Sequence, residues 1–161
     1  MADPFFLNLE IYPDDWAVAR TLLPRHEGDG VEWPFLISEM SEQEDDGSVY
    51  SDYGVPRVVV YEAYYEWVEA LERLEAANVR FIAFESETYE GDVYRVNYEG
   101  VSYMIPALRG EGPAYPVDKN GMIRKNLREG ARNAMRAMTK LERLLDKARK
   151  DASERISRTV R

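Results

Sequence analysis

The chain has no cysteine among its 161 residues, which excludes a disulfide framework and a thiolate metal site. It has one histidine, His26, lying between Arg25 and Glu27 in a loop-like segment. A lone loop histidine with no thiol to pair with reads as solvent-facing rather than catalytic. No apolar run approaches the ~20 residues that cross a bilayer. The start, Met1-Ala2-Asp3-Pro4, lacks the basic n-region of a signal peptide. There is no Gly-x-Ser-x-Gly elbow, and Gly28-Asp29-Gly30 is not followed by the Gly-Lys-Ser/Thr of a phosphate loop. Carboxylate pairs such as Glu85/Glu87 and Asp14/Asp15 carry no specificity in so acidic a chain. We therefore expect no enzyme, no cofactor and no membrane anchor, in a cytoplasmic setting or, for a viral chain, a virion.

Lysine is also absent from residues 1–118, and this absence marks a charge boundary. That stretch holds 7 Arg and 25 Asp plus Glu, a formal −18, whereas residues 119–161 hold 14 Arg plus Lys against 5 acids, a formal +9. Asymmetry of this kind reports on partners rather than on fold, because fields of opposite sign steer different surfaces.

What is present is enough to fold. The chain is 45% hydrophobic and 12% aromatic, far from the composition of a disordered segment. Leu7, Leu9 and Ile11 alternate with Asn8 and Glu10, as in a half-buried strand. Pro13-Asp14-Asp15 opens a short helix with Trp16, Ala19, Leu22 and Leu23 on its apolar side, and Pro24 ends it. Val31, Trp33, Phe35 and Ile37 alternate again, with Pro34 placing them on a sheet edge. Residues 39–54 read as an acidic loop. Arg57–Tyr61 is a compact apolar strand running into a helix at 62–77, where Tyr64, Trp67, Leu71 and Leu74 recur at helical spacing and Asn78 suits the C-terminal cap. Strands follow at 79–85, 92–98 and 101–106, the last two joined by a two-residue Glu99-Gly100 turn. The pattern predicts an α+β fold: a small, largely antiparallel sheet of five or six strands with two helices on one face, plus a long C-terminal helix. We divide the chain into an acidic domain at 1–110, a Pro/Gly linker at 111–120 and a long basic amphipathic helix at 121–161.

That helix carries two stripes. Ala131, Ala134, Met138, Leu141, Leu145, Ala148 and Ala152 follow a 3-4 spacing, the seam of a coiled coil. Met135 and Leu144 widen it, and the flanking charge pairs of a self-sufficient coiled coil are missing. Arg124, Arg128, Arg132, Arg136, Lys140, Arg143, Lys147 and Lys150 form a basic ridge, since neighbours three or four residues apart share a face. The apolar stripe either folds back on its own domain or meets a partner; at ~1.5 Å per residue a helix from about 121 to 159 outreaches the domain, which favours a partner. The ridge is expected to face acidic surface, on its own body or on a neighbouring copy. Nucleic acid is disfavoured by the acidic body and by the lack of interleaved aromatics.

The acidic surface centres on Glu42, Glu44, Asp45, Asp46 and Asp52, with Glu62, Glu66 and Glu69 facing outward from the helix. Glu42, Glu44, Asp46 and Gly47 imitate the first half of a calcium loop, but the twelfth position is Tyr53 rather than a bidentate Glu, so no metal is expected. The sequence thus points to a non-enzymatic assembly or adaptor protein, contacting a protein partner or copies of itself through its last helix, such as a phage particle component. The alternative is an acidic nucleic-acid mimic that inhibits a DNA- or RNA-handling enzyme by occupying its basic groove.

Overall fold

The computed structural model describes residues 4–24, 48–86, 91–108 and 112–159. Strand β1 (Phe5–Ile11) buries every second residue, Phe5, Leu7, Leu9 and Ile11, as its alternation demands. A 3-10 turn at Pro13–Asp15 leads into the single-turn helix α1 (Trp16–Ala19), which buries Trp16 and Ala19. Strands β2 (Ser48–Asp52) and β3 (Val55–Ala63) form a hairpin in which Asp52 pairs with Val55. Helix α2 (Tyr65–Ala76) buries Trp67, Ala70, Leu71 and Leu74. Strands β4 (Phe81–Ser86), β5 (Val93–Tyr98), β6 (Val101–Leu108) and the two-residue β7 (Gly112–Pro113) come next, followed by α3 (Arg128–Thr159).

The strands lie in the order β2-β3-β1-β4-β5-β6-β7, and every neighbouring pair is antiparallel. Since β3 and β4 flank β1, helix α2 must carry the chain over β1 from one side to the other. Its end is fixed by a Schellman closure: Val79 N–H donates to Leu74 O and Asn78 N–H to Glu75 O, each at 3.0 Å, with Asn78 at φ 58°. The expected cap at Asn78 and the Glu99-Gly100 turn are both present, the latter with φ 51° and 75° as a type I′ hairpin requires.

The sheet is covered on both faces. One face packs Leu7, Leu9, Ile11, Val58, Val60, Phe81 and Ala83 against α1 and α2. The other packs Val55, Ile82, Val96 and Ile105 against α3. The α+β class, the antiparallel sheet, the two helices on one face and the long last helix all agree with the sequence.

Several boundaries differ. Helix α1 ends at Ala19 instead of reaching Leu23, and α2 begins at Tyr65 rather than 62, which leaves Glu62 on β3 and off the helix. Residues 48–52, read as part of an acidic loop, pair as an edge strand with β3 because Tyr53 (φ 49°) and Gly54 (φ 89°) make a two-residue type I′ turn. The long helix begins at Arg128 rather than near Gly121. Before it, the Asp118 carboxylate accepts the N–H groups of Asn120 (2.8 Å) and Met122 (3.1 Å), and Gly121 sits at φ 74°. Such local side-chain bonds compete with helix formation. The stretch read as a linker at 111–120 contains β7, which pairs with β6 through Ala107 and Leu108. The edge strand expected at Val31–Ile37 lies outside the described residues.

Candidate protein-contact surfaces

Helix α3 has 32 residues and is therefore roughly 48 Å long. Its inward side is apolar and spent on its own sheet: Ala131, Ala134, Ala137, Met138, Leu141, Leu145 and Ala152 are buried, and Ala148 is partly so. Tyr12, Tyr94, Tyr98, Tyr103 and Tyr115 pack around this contact. This corrects the expectation that Ala131, Ala134, Met138, Leu141, Leu145 and Ala148 meet a partner. A 3-4 seam fits a sheet as well as it fits another helix, and the small alanines let α3 lie close against the strands.

The outward side is basic. Arg128, Arg132, Arg136, Lys140, Arg143, Lys147 and Lys150 are all exposed, and so is Arg124 in the turn preceding the helix. Arg128 donates through Nε to Ile123 O at 2.6 Å, tying that turn to the helix start. No described carboxylate makes an ion pair with Arg132, Arg136, Lys140, Arg143, Lys147 or Lys150. Pairing between the ridge and the chain's own acids is therefore not seen among the described residues.

The acidic surface lies across the sheet. Glu66, Glu69 and Glu72 are exposed along α2, and Glu62 is exposed at the end of β3. Tyr64 and Tyr65 are exposed where α2 begins, Tyr65 at 67%, whereas exposed Tyr61 lies against Phe6 on the other side of the sheet. Asp52 falls on β2, whereas Glu42, Glu44, Asp45 and Asp46 lie outside the described residues, as does His26. Among the described residues no group of three or more His, Cys, Asp or Glu side chains is placed to hold a metal ion.

Residues that the sequence did not single out anchor α3. Arg149 ion-pairs with Glu10 on β1, and its other arm bonds Asp146 at 3.1 Å. Beside this contact runs a groove of about 430 Å³ whose lining includes Asn8, Glu10, Phe84, Tyr94, Glu142 and Arg149. Burial raises the Glu142 carboxyl above its ordinary value, reinforced by Asp146 and Glu10. Burial likewise raises the Tyr94 phenol, with Glu142, Asp92 and Glu10 adding to it. Arg149 falls outside both sequence stripes, and nothing local reveals that β1 turns Glu10 toward it.

On the opposite face a second charged group is buried. Arg95 bonds Glu75 on α2 at 3.0 Å and lies 3.5 Å from Glu85 on β4. Burial raises the Glu85 carboxyl even though Arg95 pulls it down. The Glu85/Glu87 pair weighed in the sequence is thus split, with Glu85 engaged by Arg95 and Glu87 outside the described residues. Asp15, from the other pair, accepts Arg80 N–H (2.9 Å), Nε–H (2.8 Å) and an Nη–H (2.9 Å). Arg80 also lies over the Tyr12 ring at 4.2 Å, locking the α1 entry to the start of β4.

No helix among the described residues is long and apolar enough to cross a membrane. Comparison with protein-family models, with curated proteins and with solved structures found no match in any of the three.

Proposed function

We propose that this chain is a non-catalytic assembly or adaptor protein that binds acidic protein surface through the outward side of α3, in the cytoplasm or within a virus particle. The observation that carries this reading is the solvent-facing row Arg132, Arg136, Lys140, Arg143, Lys147 and Lys150, without described carboxylate partners, on a helix whose other side is anchored to the sheet. Anchoring matters because it presents the charges in a fixed row. A partner then orders fewer groups on binding than it would against a free helix. Photo-cross-linking inside cells tests the reading. A photoactivatable residue at Arg136 or Arg143 is expected to trap protein, and the same residue at exposed Val18 is not. Adducts only to nucleic acid, or none from the ridge, would sink it.

A second reading, an acidic mimic that fills a basic nucleic-acid-binding groove, is favoured by one observation: Glu66 and Glu69 are exposed on α2 with Tyr64 and Tyr65 exposed at its start, and Glu62 is exposed at the end of β3. Closely spaced carboxylates can imitate the charge density of a nucleic-acid backbone. Reversing the ridge leaves a mimic active, whereas neutralising Glu62, Glu66 and Glu69 disables it.

A further inference from the structure

We infer that the acidic surface recognised by the ridge belongs to a second copy of this chain: the outward side of α3 on one molecule seats across the acidic outer side of α2 on the next. This rests on the reading of the ridge as a protein-contact face, and it adds the identity of the partner and the geometry of the assembly.

Charge complementarity argues for it. The ridge and the acid row Glu66, Glu69 and Glu72 along α2 are both exposed. Both repeat every three or four residues, so each row advances by about one helical turn, ~5.4 Å, per charge. Two helices crossing at a shallow angle can therefore set several carboxylates against several cations in step. The ridge is the longer of the two, and Arg136, Lys140 and Arg143 at its middle match the reach of the α2 row. Cations are few on the receiving side: Arg73 and Arg20 are exposed there, and Arg73 already donates to Leu22 O at 3.0 and 3.2 Å. Tyr65 stands beside Glu66 as an exposed ring over which an incoming guanidinium can lie.

The placement of the two helices sets the symmetry. Helices α2 and α3 cover opposite faces of one sheet. A pair of molecules cannot close both contacts at once, because the ridge and the acid row of one molecule point in opposite directions. The contact is heterologous, and it propagates into a ring or an open stack rather than stopping at a twofold dimer. Each link is made largely of exposed ion pairs, so it is weak singly and sensitive to salt.

The test uses light scattering after gel filtration on the full chain at low and high ionic strength. The wild type is expected to exceed the 18.6 kDa of one chain at low salt and to return to it at high salt. Two triple variants follow: Arg136→Glu/Lys140→Glu/Arg143→Glu on the ridge, and Glu66→Lys/Glu69→Lys/Glu72→Lys on the acidic side. Each alone is expected to run as a monomer with an unchanged melting profile, since every substituted side chain is exposed. Mixed in equal amounts they should reassociate, because each retains the native face that the other has lost. Recovery in the mixture excludes misfolding as the cause of the single losses. A monomeric wild type at low salt overturns the second-copy proposal, as does persistent association of either variant or a mixture that stays monomeric. A monomeric wild type whose ridge still cross-links to another protein leaves the contact reading standing; loss of both observations removes both.

Discussion

A Cβ atom placed on Gly54 would stand 2.6 Å from the Cβ of Ala152. The turn between β2 and β3 and the far part of α3 therefore meet at a distance only glycine allows. Gly54 also holds φ 89°, a conformation that side chains disfavour. The contact shows how the long helix is built into the fold rather than appended to it.

Gly54→Ala is expected to destabilise the protein by about 2–4 kcal/mol, combining a left-handed backbone cost with overpacking against Ala152. Urea unfolding measures it as a lowered midpoint with an unchanged slope. Adding Ala152→Gly removes the steric part and should restore a portion of the loss. A Gly54→Ala chain as stable as wild type would mean that α3 does not lie this close.

Leu141 is fully buried between α3 and the sheet. Leu141→Ala should cost about 2–5 kcal/mol through lost burial and a cavity. Leu141→Asp is expected to unfold the chain rather than convert an oligomer to a folded monomer, because it leaves a carboxylate unpaired in the core. Circular dichroism and gel filtration together distinguish these outcomes. A chain cut after residue 116 should aggregate, since Val55, Ile82, Val96 and Ile105 lose their cover.

The Asp15–Arg80 clasp predicts an acid limb in the stability profile. Burial alone would raise the Asp15 carboxyl, but the side-chain and backbone hydrogen bonds from Arg80 outweigh it and hold it below its ordinary value. A carboxyl lowered in the folded state contributes stability that is present above its unfolded value, near pH 4, and lost as the pH falls through the folded value. Asp15→Ala should cost about 1.5–3 kcal/mol at neutral pH. It should also flatten the fall in melting temperature on acidification below about pH 5. An equally steep acid limb in the variant would assign that limb to other carboxylates.

The Arg149–Glu10 pair joins α3 to β1 with both side chains roughly three-quarters covered, at 23% and 24% exposure. A double-mutant cycle with Arg149→Met and Glu10→Gln should return a coupling of about 1 kcal/mol, more than the typical exposed pair. The coupling should persist in moderate salt because the pair is partly shielded. A coupling near zero would reduce the contact to packing by the arginine stem.

Much of this architecture was legible in local pattern. The alternation of Leu7, Leu9 and Ile11, the apolar stripe of Trp67, Leu71 and Leu74, the Asn78 cap and the Glu99-Gly100 turn each depend on neighbours in sequence, and each is present. Strand β2 was hidden because its turn places Tyr53, not a usual residue for positive φ, in the left-handed region. The fold-back of α3 was hidden because 3-4 periodicity does not say what a helix packs against. A signal was available elsewhere, in the unbroken apolar runs Val58-Val59-Val60 and Phe81-Ile82-Ala83-Phe84, which mark strands covered on both faces. The basic ridge was expected to face acidic surface on its own body or on a neighbouring copy, and it is exposed with no ion pair to a described carboxylate; the Arg149–Glu10 contact spans 139 positions and left no local trace.

Covering one face of the sheet with α3 also sets an order of events during synthesis. The strands that carry Val55, Ile82, Val96 and Ile105 are made before the helix that shields them. At ~5–20 residues per second, the 32 residues of α3 take about two to six seconds to add, during which the nascent sheet is apolar on an open side. A chain stalled in that interval is sticky, and completion of the last helix turns it into a particle whose outside on that side is cationic. Slowing translation through codons 128–159 is therefore expected to lower the yield of folded chain.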